Sequence, residues 1–248
     1  MSTVTYAAER EVNLLIGDLI DDKGQPMPVP PLLLKQLDYI AREAQLKFTL
    51  QRFPWRRALQ NAESGEALIF GVSKTSARLR RFHFSSGLYT SYVFLVTRSD
   101  MQFTLSTAQD LKGKTLGVSA GTEFGDEFDR LKDGFFKIES DSGSPMSRFN
   151  KLLRKRTDAT LISTRGSNPS VLQEKIRRLY EQSRGEDAQF ESVQLSVLPK
   201  PLIAEEIHFA IRADKDDGII QILNQVILKG RSSGELDSLP AKNNFILH

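Results

Sequence analysis

One stretch of the chain predicts both a fold and a binding site: Ser73-Lys-Thr-Ser-Ala-Arg78-Leu-Arg-Arg-Phe-His-Phe84-Ser85. It follows the apolar run Ala67-Leu-Ile-Phe-Gly-Val72, which has the length of a buried strand. Hydroxyl side chains and then Arg78 therefore follow the end of a strand, where ligands of open α/β sheets usually bind. A planar guanidinium with five N–H donors suits a carboxylate. The alternative is that Arg78 belongs with Arg80 and Arg81 to a solvated basic loop.

The region before this stretch alternates between strand and helix patterns. Apolar or alternating runs typical of strands lie at 12–16, 47–53 and 67–72. Apolar residues recur at helical spacing over 32–45, and a second helix is predicted from 54 to 62, before Gly65. This order predicts a parallel sheet with helices packed on its faces.

A second strand-to-helix junction is predicted downstream, where a strand over 114–120 leads into Gly121-Thr122. We expect the next helix to cover 123–131 directly, with Thr122 as its N-cap. The N-terminus of a helix presents unpaired N–H groups and a partial positive charge to an anion. A cap without any ligand is the alternative interpretation.

The alternation restarts after Thr97 and returns at Ile207, which predicts two lobes joined by two crossings. Each lobe would hold a mixed, mostly parallel sheet flanked by helices. Lobe one is predicted to combine 10–95 with 207–248, and lobe two to cover 96–206. The crossings, which form a hinge, are predicted near 94–98 and 204–209.

Composition excludes several classes of function. The 248 residues are 40% hydrophobic and 26% charged, as in an ordinary globular protein, and the net charge of +3 is too small to indicate nucleic acid. The sequence contains no cysteine and only three widely spaced histidines, so we expect neither a disulfide framework nor a metal site, and no cofactor. No apolar run approaches the roughly 18 residues of a membrane span.

Two motifs resemble one protein family. The segment Thr75 to Ser85 resembles the T-x-x-R-x-x-x-x-x-F-S signature of family 3 extracellular solute-binding proteins, the polar amino-acid receptors of ABC transporters. The segment Leu111-Lys-Gly-Lys114-Thr-Leu-Gly-Val118-Ser-Ala-Gly121-Thr122 is similar to the family's "dLkGKkvgV..GT" stretch. Their order and spacing agree with the family, and a weaker resemblance extends from about Val12 to Phe245.

The resemblance implies a two-lobe, periplasmic-binding-protein-like (type II) fold whose cleft closes on a small carboxylate-bearing solute. Arg78 would bind the carboxylate, with Ser73 and the backbone near Gly71 helping from lobe one. Gly121 and Thr122 would bind the same carboxylate from lobe two. In the family, the closed form docks on the membrane permease.

Trp55 and Arg165 are two further candidates for contact with the ligand. Trp55 lies at a strand-to-helix junction that often supplies a stacking aromatic in the family, although an aromatic in the first turn of a helix can simply pack. Arg165 suggests a second anionic group on the ligand, unless it is an exposed loop arginine.

Ser163 departs from the family pattern. Members that bind α-amino acids usually carry an acidic residue at this position, where it pairs with the ligand's ammonium group. A serine cannot neutralise a buried ammonium, and an unpaired buried charge is costly. Either the acidic loop with Asp18, Asp21 and Asp22 takes over this role, or the ligand is not a simple α-amino acid.

Three functions fit these observations. The first is a periplasmic transport receptor, monomeric, with permease subunits as partners; its signal peptide would already have been removed, because the N-terminus lacks that pattern. The second is a sensory or orphan receptor. The third is a dehydratase-like enzyme on the same fold, which would need a general acid or base in the cleft. His83 lies within the strand at the end of the signature and not obviously in the cleft, so we expect a binding protein without catalytic residues.

Overall fold

The structure, a computed structural model, describes residues 9–18, 25–132, 134–141, 144–183 and 193–236, without the side chains of residues 127, 182 and 183. Asp21 and the candidate site residue Asp22 lie outside the described residues.

The first half of the chain builds the predicted parallel layout. Strands β1 (Arg10–Gly17), β2 (Leu46–Phe53) and β3 (Leu68–Val72) are parallel, with β1 in the middle, and helices α1 (Pro31–Ala44) and α2 (Trp55–Ser64) connect them. Pro31 occupies the first turn of α1, where its missing N–H costs nothing. Gly65 ends α2 with a left-handed φ of 84°, which glycine adopts without strain.

The rest of the chain alternates in the same way. The elements that follow are helix α3 (Ser76–Leu79), strands β4 (Phe82–Phe84), β5 (Tyr89–Arg98) and β6 (Thr115–Ser119), helix α4 (Asp126–Leu131), strand β7 (Lys137–Asp141), helix α5 (Pro145–Leu153), strand β8 (Ala159–Thr164), helix α6 (Pro169–Ser183), strands β9 (Leu195–Val197) and β10 (Ile203–Arg212), and helix α7 (Ile219–Ser232). Residues expected to form a loop after β5 instead form a 3-10 turn, Ser99–Met101.

Two long strands connect the halves of the sheet. The strand order is β2-β1-β3-β10-β5-β8-β6-β7, with β4 beside β10 and β9 beside β5. The N-terminal part of β10, from Ile203 to Ile207, pairs antiparallel with β5, and its C-terminal part pairs antiparallel with β3 and β4. The β5–β10 ribbon therefore lies at the centre of the molecule.

The buried core is divided in the same way as the sheet. One pair of apolar clusters draws its buried residues from 12–88 and 207–236, and the other pair draws them from 93–198. We call these two halves lobe one and lobe two. The two-lobe α/β architecture expected from the sequence is confirmed, while the predicted residue boundaries of the lobes stay a prediction.

Candidate functional site

A cavity lies where the two lobes meet the β5–β10 ribbon. Its lining includes six of the predicted site residues: Trp55, Gly71, Ser73, Arg78, Thr122 and Ser163. Six residues that were not predicted complete the lining: Tyr89, Ser91, Ser119, Glu123, Glu205 and Ile207. The free space measures about 50 Å³, which is room for a few water molecules.

Arg78 is the buried cation of this cavity. Thr75 caps α3, because its Oγ1 accepts a hydrogen bond from the backbone N–H of Arg78 at 3.2 Å. The Arg78 side chain is only 2% exposed, whereas Arg80 and Arg81 face solvent, so the solvated-loop alternative is wrong for Arg78. Its Nη1 donates to the backbone oxygen and to Oγ of Ser73, both at 3.2 Å. Burial lowers the pKa of the Arg78 guanidinium, and the nearby Glu123 carboxylate opposes that shift.

Glu123 of lobe two supplies the carboxylate that faces Arg78. Its Oε2 lies 3.1 Å from Arg78 Nε and accepts a hydrogen bond from Thr75 Oγ1, also at 3.1 Å. The Arg78 Nε contact is not aligned as a hydrogen bond, and Nη2 has no hydrogen-bond partner among the described residues. Arg78 therefore retains unused donor capacity. The only sequence signal for Glu123 was an acidic residue directly after Gly121-Thr122.

The second junction differs from its prediction. Helix α4 begins at Asp126 with Gly125 as its N-cap, so the expectation that Thr122 caps the helix is wrong. The Thr122 N–H instead closes a turn on the Ser119 oxygen at 3.2 Å, and the left-handed Gly125, with φ 88°, delays the start of the helix. The intervening loop brings Thr122 and Glu123 to the cavity.

Gly121 does not line the cavity, but its backbone oxygen accepts a hydrogen bond from Trp55 Nε1 at 3.1 Å. The Trp55 ring is partly buried against lobe one and also lines the cavity. Trp55 therefore packs against lobe one and also lines the cavity, while its stacking on a ligand stays a prediction.

The floor of the cavity is the β5–β10 ribbon. Tyr89 is paired with Ile207, and Ser91 with Glu205, and all four side chains line the cavity. Side chains alternate between the two faces of a strand, so Glu206 lies on the opposite face, where it is exposed. Burial raises the pKa of Glu205 to about 7, although a hydrogen bond from Ser73 and the charge of Arg78 act in the other direction.

Two arginines beside the cavity have partners of their own. Asp18 forms an ion pair with Arg52, so it is not a free anion. The Arg165 guanidinium lies 3.5 Å from the centre of the Tyr89 ring, and its Nη1 donates to Gln36 Oε1 of lobe one at 2.8 Å. Arg165 is therefore not the exposed loop residue of the alternative interpretation. Burial lowers the pKa of its guanidinium.

The described side chains offer no group of acids and histidines able to hold a metal ion. His83 is exposed and pairs with Asp216 at 2.8 Å, outside the cavity lining. No helix in the described ranges is both long and apolar enough to cross a bilayer.

The structure thus places a buried arginine in a cavity between two α/β lobes. The chain belongs to the bacterial extracellular solute-binding proteins, family 3, whose family model matches residues 34–244. Members of this family are binding proteins rather than enzymes.

Solved structures of several receptors have the same fold. A histidine kinase sensor domain similar to periplasmic binding proteins matches with a TM-score of 0.69 and 16% identity, over 97% of this chain and 99% of that one. An ancestral arginine-binding protein bound to arginine matches with a TM-score of 0.66 and 15% identity, over 93% and 96%. An amino-acid ABC transporter substrate-binding protein from Streptococcus pneumoniae, bound to L-arginine, matches with a TM-score of 0.63 and 19% identity, over 92% of both chains. No curated protein sequence matches the chain at a significant level.

Proposed function

We propose that this protein binds an amino acid or a related small carboxylate in the cavity between its lobes and delivers it to an ABC transporter. The observation that carries this proposal is Arg78, a buried cation that faces a cavity and whose Nη2 has no hydrogen-bond partner in the described part of the chain. A buried guanidinium gains more from a carboxylate than from any neutral partner, because charge-assisted hydrogen bonds are about twice as strong.

The ligand carboxylate would replace the Glu123 carboxylate on Arg78. Glu123 is 34% exposed as a side chain, so it can move to solvent at a modest cost, whereas Arg78 is fixed by its bonds to Ser73. Movement of the Glu123 side chain out to solvent would also enlarge the cavity, whose free space of about 50 Å³ is too small for an amino acid. Thr122 and Ser73 would then supply hydroxyl groups from the two lobes.

Closure would follow from contacts that join the lobes. Ser76 N–H of lobe one donates to Asp126 Oδ1 at 3.0 Å, and the Trp55 indole donates to Gly121. A ligand that touches both lobes binds the closed form better and shifts the population toward it. The closed form is what we propose the permease recognises. We place the hinge near 94–98 and 204–209 and expect a monomer in the periplasm, as the family description "extracellular" suggests.

The ligands of structural relatives favour amino acids. Three of the solved relatives hold arginine, and an ancestral arginine-binding protein is also described bound to glutamine. Both ligands carry an α-carboxylate, the group that the Arg78 site suits best.

A thermal-shift screen tests the proposal. The purified chain would be heated with each common L-amino acid, with dicarboxylates and with short peptides. A ligand at a hundred times its dissociation constant should stabilise the folded state by about 2.7 kcal/mol, which is easily seen as a higher melting temperature. If no carboxylate raises the melting temperature, the proposal fails.

A receptor that signals instead of transporting is the second candidate. It is favoured by the likeness to the histidine kinase sensor domain, which covers nearly the whole of both chains. Uptake of a radiolabelled screen ligand by cells with and without the gene separates the two. Uptake lost with the gene supports transport, and unchanged uptake supports sensing.

A further inference from the structure

Glu205 is the one carboxylate on the floor of the cavity, and the sequence pattern did not single it out. It belongs to β10, where it is paired with Ser91 of β5, and its side chain faces the cavity together with Ile207 two residues later. The floor does not have to move when Glu123 leaves Arg78, because it is held by the β5–β10 ladder. Glu205 is therefore a carboxyl group in a fixed position beside the fixed guanidinium of Arg78.

The surroundings of Glu205 leave its charge unbalanced. Among the described residues, no lysine or arginine nitrogen forms an ion pair with its carboxylate, and Ser73 is its hydrogen-bonding neighbour. Arg78, whose charge lowers the pKa of Glu205, already faces Glu123. The charged or titratable groups around it are Arg78 on α3, Asp129 on α4, Tyr89 on β5 with Arg165 above its ring, and Glu123 in the loop before α4, together with Lys74, Asp126 and Lys200, which line a second groove that Glu205 also lines.

We propose that Glu205 binds the ammonium group of the ligand, so that the preferred ligand is a zwitterion whose carboxylate lies on Arg78 and whose ammonium lies on Glu205. This inference rests on the proposed function and names its ligand class. At Ser163 the cavity offers a hydroxyl, which cannot neutralise an ammonium, and Asp18 is already paired with Arg52. Glu205 is the remaining cavity carboxylate that stays in place when Glu123 gives way.

A proton should accompany this binding. The free carboxyl of Glu205 has a pKa raised to about 7 by burial, so near pH 7 it is partly protonated. A ligand ammonium stabilises the charged form and lowers that pKa, so binding releases protons and affinity rises with pH through about 7. An anion without an ammonium would have the opposite dependence.

The experiment compares each common L-amino acid with its α-deamino acid, first by thermal shift and then by calorimetry at pH 8. The wild type should bind the best amino acid at least about tenfold more tightly than its α-deamino counterpart. Glu205→Gln should remove this preference and the buffer-dependent proton release at pH 7. Glu206→Gln, the exposed neighbour on the opposite face of β10, should keep both.

The outcomes separate the role of Glu205 from the proposed function. A preference that survives in Glu205→Gln overturns the inference. If α-deamino acids bind and amino acids do not, the inference falls while the proposed carboxylate site stands. If neither group binds, the proposed function itself fails. Should Glu205→Gln not fold, Glu205→Asp keeps the charge and should retain a reduced preference, whereas a complete loss of preference in that folded variant would contradict the role.

Discussion

Two strand-to-helix junctions face each other across the cleft, and they are built differently. After β3, the helix starts almost at once: Thr75 caps α3, and Arg78 folds back onto Ser73. After β6, the helix starts late, at Asp126, and a loop carries Gly121, Thr122 and Glu123 toward lobe one.

This difference separates a rigid cation from a movable anion. The Arg78 side chain is 2% exposed and is held by hydrogen bonds within lobe one. The Glu123 side chain is one-third exposed and belongs to the loop that precedes α4. A ligand carboxylate can displace Glu123 without disturbing the structure that holds Arg78. The first junction therefore provides the binding group, and the second provides a stand-in for the ligand that also helps to join the lobes.

The largest effect should come from removing the rigid cation. We expect Arg78→Ala to weaken binding of the best screen ligand by about 2–5 kcal/mol, because the ligand carboxylate would be buried without a partner. Calorimetry measures the loss. Arg80→Ala, two residues away and exposed, is the matched control and should change binding by less than about 0.5 kcal/mol. Equal affinities for the two variants would remove Arg78 from the site.

Glu205, on the β5–β10 ribbon between the two junctions, should make the stability of the protein depend on pH. The folded-state pKa of Glu205 is raised from 4.5 to about 7, so its contribution to stability is fully present below pH 4.5 and is lost as the pH rises through 7. Relative to Glu205→Gln, the wild type should lose about 3 kcal/mol of unfolding free energy between pH 4.5 and 7.5. Urea unfolding at both pH values measures this difference, and a constant difference would show that Glu205 has an ordinary pKa.

Replacing Glu123 should have two opposite effects of moderate size, one on stability and one on ligand binding. Glu123→Gln should destabilise the ligand-free chain by about 1 kcal/mol, because Arg78 loses its charged partner across the cleft. The same change should tighten ligand binding by about 1 kcal/mol, since nothing negative competes for Arg78. Chemical unfolding and calorimetry measure the two effects. Glu181→Gln, which breaks an exposed pair with Arg177, is the control for losing a surface charge. Weaker ligand binding in Glu123→Gln would mean that Glu123 assists the ligand.

The smallest effect should come from the bond between Trp55 and the second junction. Trp55→Phe keeps an aromatic ring but removes the N–H that donates to Gly121, so ligand binding should weaken by about 0.5–1 kcal/mol through a less stable closed form. Calorimetry at one temperature is sufficient. Trp55→Ala should weaken binding further while the chain still folds. An unfolded Trp55→Ala chain would instead mean that the ring serves the core of lobe one.

Local patterns of the sequence determined the secondary structure and the position of Arg78. Apolar spacing predicts α1, and the short apolar run that ends at Val72 predicts β3. Pro31 and Gly65 mark helix ends through backbone chemistry that involves only near neighbours. Such signals lie within a few residues of the feature they specify, so a single sequence is sufficient to find them. The family motifs then indicated that Arg78 faces a ligand.

Only the tertiary structure decided which groups share the cavity with Arg78. Glu123 reaches Thr75 across 48 positions of sequence, Arg165 reaches Gln36 across 129, and Glu205 enters the cavity because its register on β5 pairs it with Ser91. The start of α4 was predicted wrongly at Thr122 because the left-handed Gly125 and the contacts of the loop with lobe one override a local capping signal. The charges of a site depend on long-range packing, which no local pattern encodes, and so the sequence identified the arginine while the fold decided its neighbours.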